Sequence, residues 1–163
     1  MAGPEPLSKP EEIMADTPSV QPPLPAPPPP VPHGMPISLG LAKRVAAAAE
    51  AEATKQGWCM AIAIAELNGA LVHFVKMDNT QYASVKLAVA KAETAAKYRR
   101  PTRMFTDILA AGHQFFLTFD GLCAAPGGLP LVVDGMLVGA IGVSGGSGHQ
   151  DDVVAEAGVA VLT

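Results

Sequence analysis

The stretch Leu131–Asp152, LVVDGMLVGAIGVSGGSGHQDD, decides the fold. Asp134-Gly135 stands between two apolar runs, and that dipeptide supplies the positive φ angles of a tight hairpin turn. Met136–Val143 reads as the returning strand, and Ser144–Gly148 is too rich in glycine for strand or helix. Asp151 and Asp152 then fall in the first turn of a closing helix over about His149–Leu162, where carboxylates suit the positive end of the helix dipole. Upstream, Pro126-Gly127-Gly128-Leu129-Pro130 reads as a rigid loop leading into the hairpin.

A second hairpin lies nearer the N-terminus. Trp58–Ala65 alternates with period two: Trp58, Met60, Ile62 and Ile64 on one face, Cys59, Ala61, Ala63 and Ala65 on the other. One face is bulky and one small, so both are expected to be covered, with a helix backbone close to the small side. Asn68-Gly69 marks the turn and Leu71–Lys76 the return strand. Two such hairpins predict an antiparallel sheet and argue against a parallel one. Helices are predicted around it. Ser38 caps a helix running to Gln56, with Gly57 as its stop and Leu41, Val45 and Ala48/Ala49 as its buried stripe. Another begins at Thr80 or Ser84 and ends near Tyr98, where Arg99-Arg100-Pro101 breaks it. Its inner face of Val85, Ala88, Ala92, Ala95 and Ala96 is almost all small. Thr102 opens a short amphipathic helix that Gly112 terminates, and Phe115–Phe119 reads as an edge strand or a pocket wall.

The chain has 163 residues, 49% of them hydrophobic, which suffices for one sizeable core. A net charge of −4 leaves no basic footprint for nucleic acid or an anionic membrane. Cys59 and Cys123 lie in apolar contexts and are expected to be reduced, buried thiols. No apolar run approaches the ~20 residues of a membrane span, and the acidic, proline-rich N-terminus has no apolar signal core, so a cytoplasmic protein is expected. Residues 1–36 hold 13 of the 16 prolines and no aromatic residue. Proline lacks the N–H and fixes φ, so Pro22–Pro32 is expected as a stiff polyproline II arm. That arm is either a solvated leader or a strap across a neighbouring subunit or partner protein. Residues 37–163 are expected to form the folded domain.

A set of short motifs carries a family likeness. Met77-Asp78, Lys91-Ala92-Glu93-Thr94-Ala95-Ala96, Arg100-Pro101-Thr102 and Pro126-Gly127-Gly128-Leu129-Pro130 occur in that order. Val133-Asp134-Gly135, Gly139–Gly146 and Gln150-Asp151 follow. In these the chain resembles the GlcG/HbpS-like family, which includes the C-terminal domain of some cobalamin adenosyltransferases. The resemblance covers roughly residues 37–163. It implies an α+β, profilin-like fold with a central antiparallel sheet of about five strands and helices on both faces. It also implies dimers that assemble into larger homo-oligomers. Some members bind haem and some are linked to haem degradation or redox sensing; others sit beside glycolate or diol metabolism. Haem-binding relatives use a histidine near the first helix, whereas Ser38–Gln56 holds none and Lys43-Arg44 stand there.

Haem would need an axial ligand on a pocket wall. Of the four histidines, His33 lies in the arm, His73 in mid-strand, His113 after a helix-stopping glycine, and His149 at the opening of the last helix. No His-x₃-His or Cys-x₂-Cys spacing occurs, so no metal centre is expected. Ser144–Gly148 follows a strand and precedes a helix, as a phosphate loop does, but lacks the Gly-Lys-Ser/Thr ending. Lys91 and Thr94 share one helix face. Burial between alanine surfaces would suit Lys91 to acid/base or carbonyl-binding work; a solvated lysine, or one paired with Asp78 or Glu93, is the bland alternative. Arg99, Arg100 and Arg103 near that helix end suit a carboxylate-bearing metabolite, or equally carbonyl caps and subunit salt bridges. A cleft formed by Met77, Asp78, Lys91, Thr94, Arg99, Arg103, Gly127 and Gly128 is therefore the expected ligand site, for haem or an aromatic or carboxylated metabolite. A cofactor-independent isomerase or lyase would use Lys91 or His113 as acid/base. A third reading is an accessory subunit that docks a partner enzyme through its arm.

Overall fold

The computed structural model describes Gly3, Pro23, Leu24, Ala26 and residues 28–163; the rest of the 1–36 arm, Pro22 included, lies outside the described residues. Helix α1 spans Leu39–Gln56. Ser38 Oγ accepts the Leu41 N–H at its start, and Gly57 closes it in the left-handed region at φ 73°. Its buried stripe is Ala42, Val45, Ala46, Ala49 and Ala53, one step round from the expected face except at Val45 and Ala49.

Strands β1 (Ala61–Ala65) and β2 (Leu71–Lys76) pair antiparallel across the Asn68-Gly69 turn, where Asn68 Oδ1 accepts the Ala70 N–H. The first strand begins at Ala61, three residues later than Trp58. Helix α2 runs Ala83–Tyr98. Neither Thr80 nor Ser84 caps it; the Thr80 hydroxyl donates instead to the Met60 and Met77 carbonyls. Helix α3 (Arg103–Ala110) leads through Gly112 to a 3₁₀ turn, Gln114–Thr118. Strands β3 (Gly128–Val133) and β4 (Met136–Ser144) form the second hairpin, and Asp134 and Gly135 both take positive φ, 50° and 74°. Helix α4 (Gly148–Val159) closes the fold behind a capping box made by Ser147 and Gln150.

The sheet is antiparallel in the order β2-β1-β4-β3. Among the described residues it has four strands, not about five. The Phe115–Phe119 run makes no strand, because its rings stack on one another and on Phe105 in a 3₁₀ turn. The Pro126–Pro130 loop is shorter than expected, since Gly128–Pro130 already pair with Ala140–Gly142. Helices cover both faces. Met60, Ile62, Ile64, Ile141 and Val143 pack on α1 and α4. Ala61, Ala63 and Ala65 meet Ala88 and Ala92 of α2, and there the sheet and helix approach so closely that a methyl at Gly142 would lie 2.1 Å from the Ala88 carbonyl. Cys59 is exposed and Cys123 sits half-buried in a loop; both are free, so the expectation of buried thiols is corrected.

The described part of the arm runs against the body. Pro32 accepts the Leu137 N–H at 2.8 Å, Gly34 donates to Leu137 at 2.7 Å, and Ile37 donates to Val138 at 2.8 Å. His33 thereby makes a parallel bridge to Leu137, on the stretch of β4 beyond the Ala65–Ala140 pair where β1 ends.

Candidate functional site

Two groups of side chains stand out. The first lies where α2, β4 and α4 meet. Lys91 is the one charged residue on the buried face of α2. Its Nζ donates to Asp151 Oδ2 at 2.7 Å and to the Val143 carbonyl at 2.9 Å. The two side chains are only 3% and 5% exposed. Asp151 Oδ1 accepts the Gly146 N–H at 3.0 Å. The neighbouring Asp152 accepts the Gly127 N–H at 2.6 Å and an ion pair from Arg103. Burial pushes the Asp151 carboxyl above its ordinary value, against hydrogen bonds from Lys91 and Gly146. Burial also raises the Cys123 thiol, against the nearby Lys91 charge, so this cysteine is a poor nucleophile.

Threonines stitch the 121–128 loop to this centre. Thr94 Oγ1 accepts the Cys123 N–H at 2.9 Å and donates to Gly121. Thr102 Oγ1 donates to Ala125 at 2.6 Å and accepts the Gly128 N–H at 2.9 Å. Gly127 stands at φ 109°, and a methyl there would lie 2.5 Å from the Val143 carbonyl and 3.2 Å from Lys91 Nζ. Only glycine passes between them. The amide of the Ser144–Gly148 loop that a phosphate would use at Gly146 is already taken by the chain's own Asp151.

The second group lines a cavity of about 690 Å³, within the range of about 300–1,000 Å³ that holds small-molecule ligands. Tyr98, Met104, Phe105, Ile108, Phe116 and Phe119 make its apolar wall. His113 lines it too and is 7% exposed; the ring sits just past α3, where its backbone N–H reaches the Ile108 carbonyl. Lys97, Arg99 and Arg100 contribute cations, and Asp107 is the one carboxylate among the described residues of the lining. The residues suit haem as a donor set: an imidazole in an aromatic wall and cations for the propionates.

Lys91, Thr94, Arg103, Gly127 and Gly128 are thus brought together around one loop, while Arg99 and His113 meet in the cavity. Met77 and Asp78 join neither group. Met77 packs against the core on the α1 side, and Asp78 is exposed. Lys91 pairs with neither Asp78 nor Glu93, whose carboxylate takes Lys97 instead. The partner role of Asp151 was not visible in its helix-start position; a lone lysine on an alanine face was the signal that a buried acid must exist. Among the described residues, no group of three or more His, Cys, Asp or Glu side chains could hold a metal ion, and no helix is long and apolar enough to cross a membrane.

The family described as "Haem degrading protein HbpS-like" matches residues 37–160. Protein GlcG of Escherichia coli K12 is 39% identical over 108 residues, which cover 66% of this chain and 81% of that protein. An uncharacterised 15.0 kDa protein of Citrobacter freundii, from a dhaT-dhaS intergenic region, is 31% identical over 124 residues, 74% of this chain and 87% of that one. Among solved structures, a double mutant of HbpS from Streptomyces reticuli superposes with a TM-score of 0.74 at 30% identity, covering 88% of this chain and 99% of that one. A complex of PduOC with haem superposes with a TM-score of 0.72 at 25% identity, covering 79% and 96%.

Proposed function

The chain belongs to the HbpS-like family, and from that premise we propose that it binds a small ligand with an aromatic or planar apolar body and carboxylate groups, haem among them. The observation that carries this reading is one cavity that joins aromatic walls, a buried imidazole and three cations. The haem-complex relative supports the ligand class. In this reading His113 would hold the iron, Arg99 and Arg100 would hold the carboxylates with Lys97, paired to Glu93, beside them, and the phenyl rings would exclude water. Bound haem would supply the redox chemistry. The expected ligand cleft around Lys91 then serves the site indirectly: Lys91, Thr94, Arg103, Gly127 and Gly128 fix the loop and helix starts beside the cavity wall. Self-association belongs to the same proposal.

The test is a hemin titration of the purified full chain. A Soret shift at micromolar hemin is expected, and its loss in His113→Ala. Metal-free protoporphyrin, which needs no axial ligand, is expected to bind both proteins. Replacing Arg99 and Arg100 together by Gln removes charge-assisted bonds of about 1.5–3 kcal/mol each and should weaken both ligands at least tenfold. No Soret shift, or one indifferent to His113, sinks the haem assignment.

A second reading, a cofactor-independent isomerase or lyase with Lys91 or His113 as acid/base, is favoured by the buried Lys91–Asp151 pair. It requires the 121–128 loop to open, because both side chains are sealed.

A further inference from the structure

The arm and the cavity share residues. Leu24, Ala26 and Pro28 line the cavity together with the α3 wall. The two guanidiniums at its edge face the arm as well: Arg99 Nη1 donates to the Val31 carbonyl at 3.2 Å, and Arg100 Nη2 to the Pro28 carbonyl at 3.5 Å. These are neutral, long acceptors for strong donors. A ligand carboxylate would be the better partner for either arginine.

The arm is held unequally along its length. From Pro32 to Ile37 it is pinned by three backbone hydrogen bonds of 2.7–2.8 Å and by Ile37, which is 6% exposed. Upstream of Pro32, prolines offer no N–H, so the described residues there are held through their carbonyls and by apolar contact. A second cavity of about 380 Å³ lies under Pro28, Pro29 and Val31, so the packing there is incomplete. A stiff rod that is tethered at one end and loosely seated along the other moves as a unit.

We infer that the proline-rich arm gates this cavity: Leu24, Ala26 and Pro28 form a removable wall, and ligand carboxylates displace the arm by taking Arg99 and Arg100 from its carbonyls. The inference rests on the ligand-binding reading above for the class of ligand, but not for haem in particular. The family match begins at residue 37, after the arm residues that line the cavity.

Stopped-flow binding of two probes, hemin and 1-anilinonaphthalene-8-sulfonate, tests it on three proteins. These are the full chain, a chain beginning at Pro32, and the full chain carrying Leu24→Ser with Ala26→Ser, which removes the arm's apolar seat and adds no charge beside the cavity's cations. Circular dichroism and melting check that each is folded; the double substitution serves if the shortened chain is not. Association should quicken about tenfold in both altered proteins, as for an arm closed on the order of 90% of the time. Equal rates in all three overturn the gate while leaving the ligand reading intact. Faster sulfonate binding without any hemin binding keeps the gate and removes haem. Binding of neither probe to any of the three overturns both.

Discussion

A lysine that is 3% exposed survives in this core because Asp151 and the Val143 carbonyl meet its ammonium. The pair is not thereby a large source of stability, since desolvation offsets most of the attraction. Its consequence is a pH dependence that Lys91→Met should reveal. Burial already raises the Asp151 pKa, and Lys91 is the largest of the groups that oppose the rise, ahead of the Gly146 amide. Without the ammonium the carboxyl moves further up. An acid whose folded pKa exceeds its unfolded one contributes stability that is present below the unfolded value and lost as pH rises through the folded one. The Lys91→Met variant should therefore melt close to the parent near about pH 4 and fall behind by about 3–5 kcal/mol at neutral pH. Adding Asp151→Asn removes the titrating group while keeping an acceptor for Gly146, so the double variant should recover most of the loss and show no such trend. Urea midpoints across that pH range decide it. A Lys91→Met penalty that is constant with pH would mean that the carboxyl does not titrate in the window.

The contact between α2 and β4 is set by the absence of side chains. A methyl at Gly142 would meet the Ala88 carbonyl at 2.1 Å and the Ala92 nitrogen at 2.4 Å, and both are backbone atoms that no rotamer change relieves. Gly142→Ala should cost on the order of 1–3 kcal/mol or more in chemical denaturation. Gly40→Ala is the contrast. It lies in the exposed first turn of α1, where a methyl meets only Ser38 Oγ at 4.0 Å, and should stabilise by about 0.5–1 kcal/mol. Equal effects would mean that helix–sheet proximity does not govern the first site. This contact was legible beforehand, because Ala61, Ala63 and Ala65 alternate with bulky neighbours and α2 carries an alanine face. So were the caps Ser38 and Gly57 and the Asp134-Gly135 turn, each a local preference that acts within a few residues. The fifth strand was not. An apolar run near the sheet suits strand and pocket wall equally, and only the stacking of Phe115, Phe116 and Phe119 decides between them. The Lys91–Asp151 pair was hidden for a different reason: its partners are 60 positions apart, beyond any spacing rule, and join only when α4 is laid against β4.

The extension before residue 37 also completes the body it crosses. Strand β1 leaves β4 at Ala140, and the arm takes over that edge at Leu137 and Val138. Gly139 makes room for it, since a methyl there would stand 3.0 Å from Ile37 Cγ2 and 2.4 Å from the Ala65 carbonyl. An uncovered edge with free N–H and C=O groups is a template for pairing with another copy. Two truncations separate this role from the gate upstream. A chain beginning at Pro32 keeps the bridge and Ile37 and should melt as the full chain does. A chain beginning at Ser38 keeps the α1 cap but loses Ile37 and the three backbone bonds to β4. It should lose about 3 kcal/mol, from one buried isoleucine and the bonds that go with it. Light scattering should also show it growing in mass with concentration beyond whatever assembly the full chain makes. If the Ser38 chain matches the Pro32 chain in both melting and mass, the β4 edge is protected by the body alone and the bridge is a passive tether for the arm.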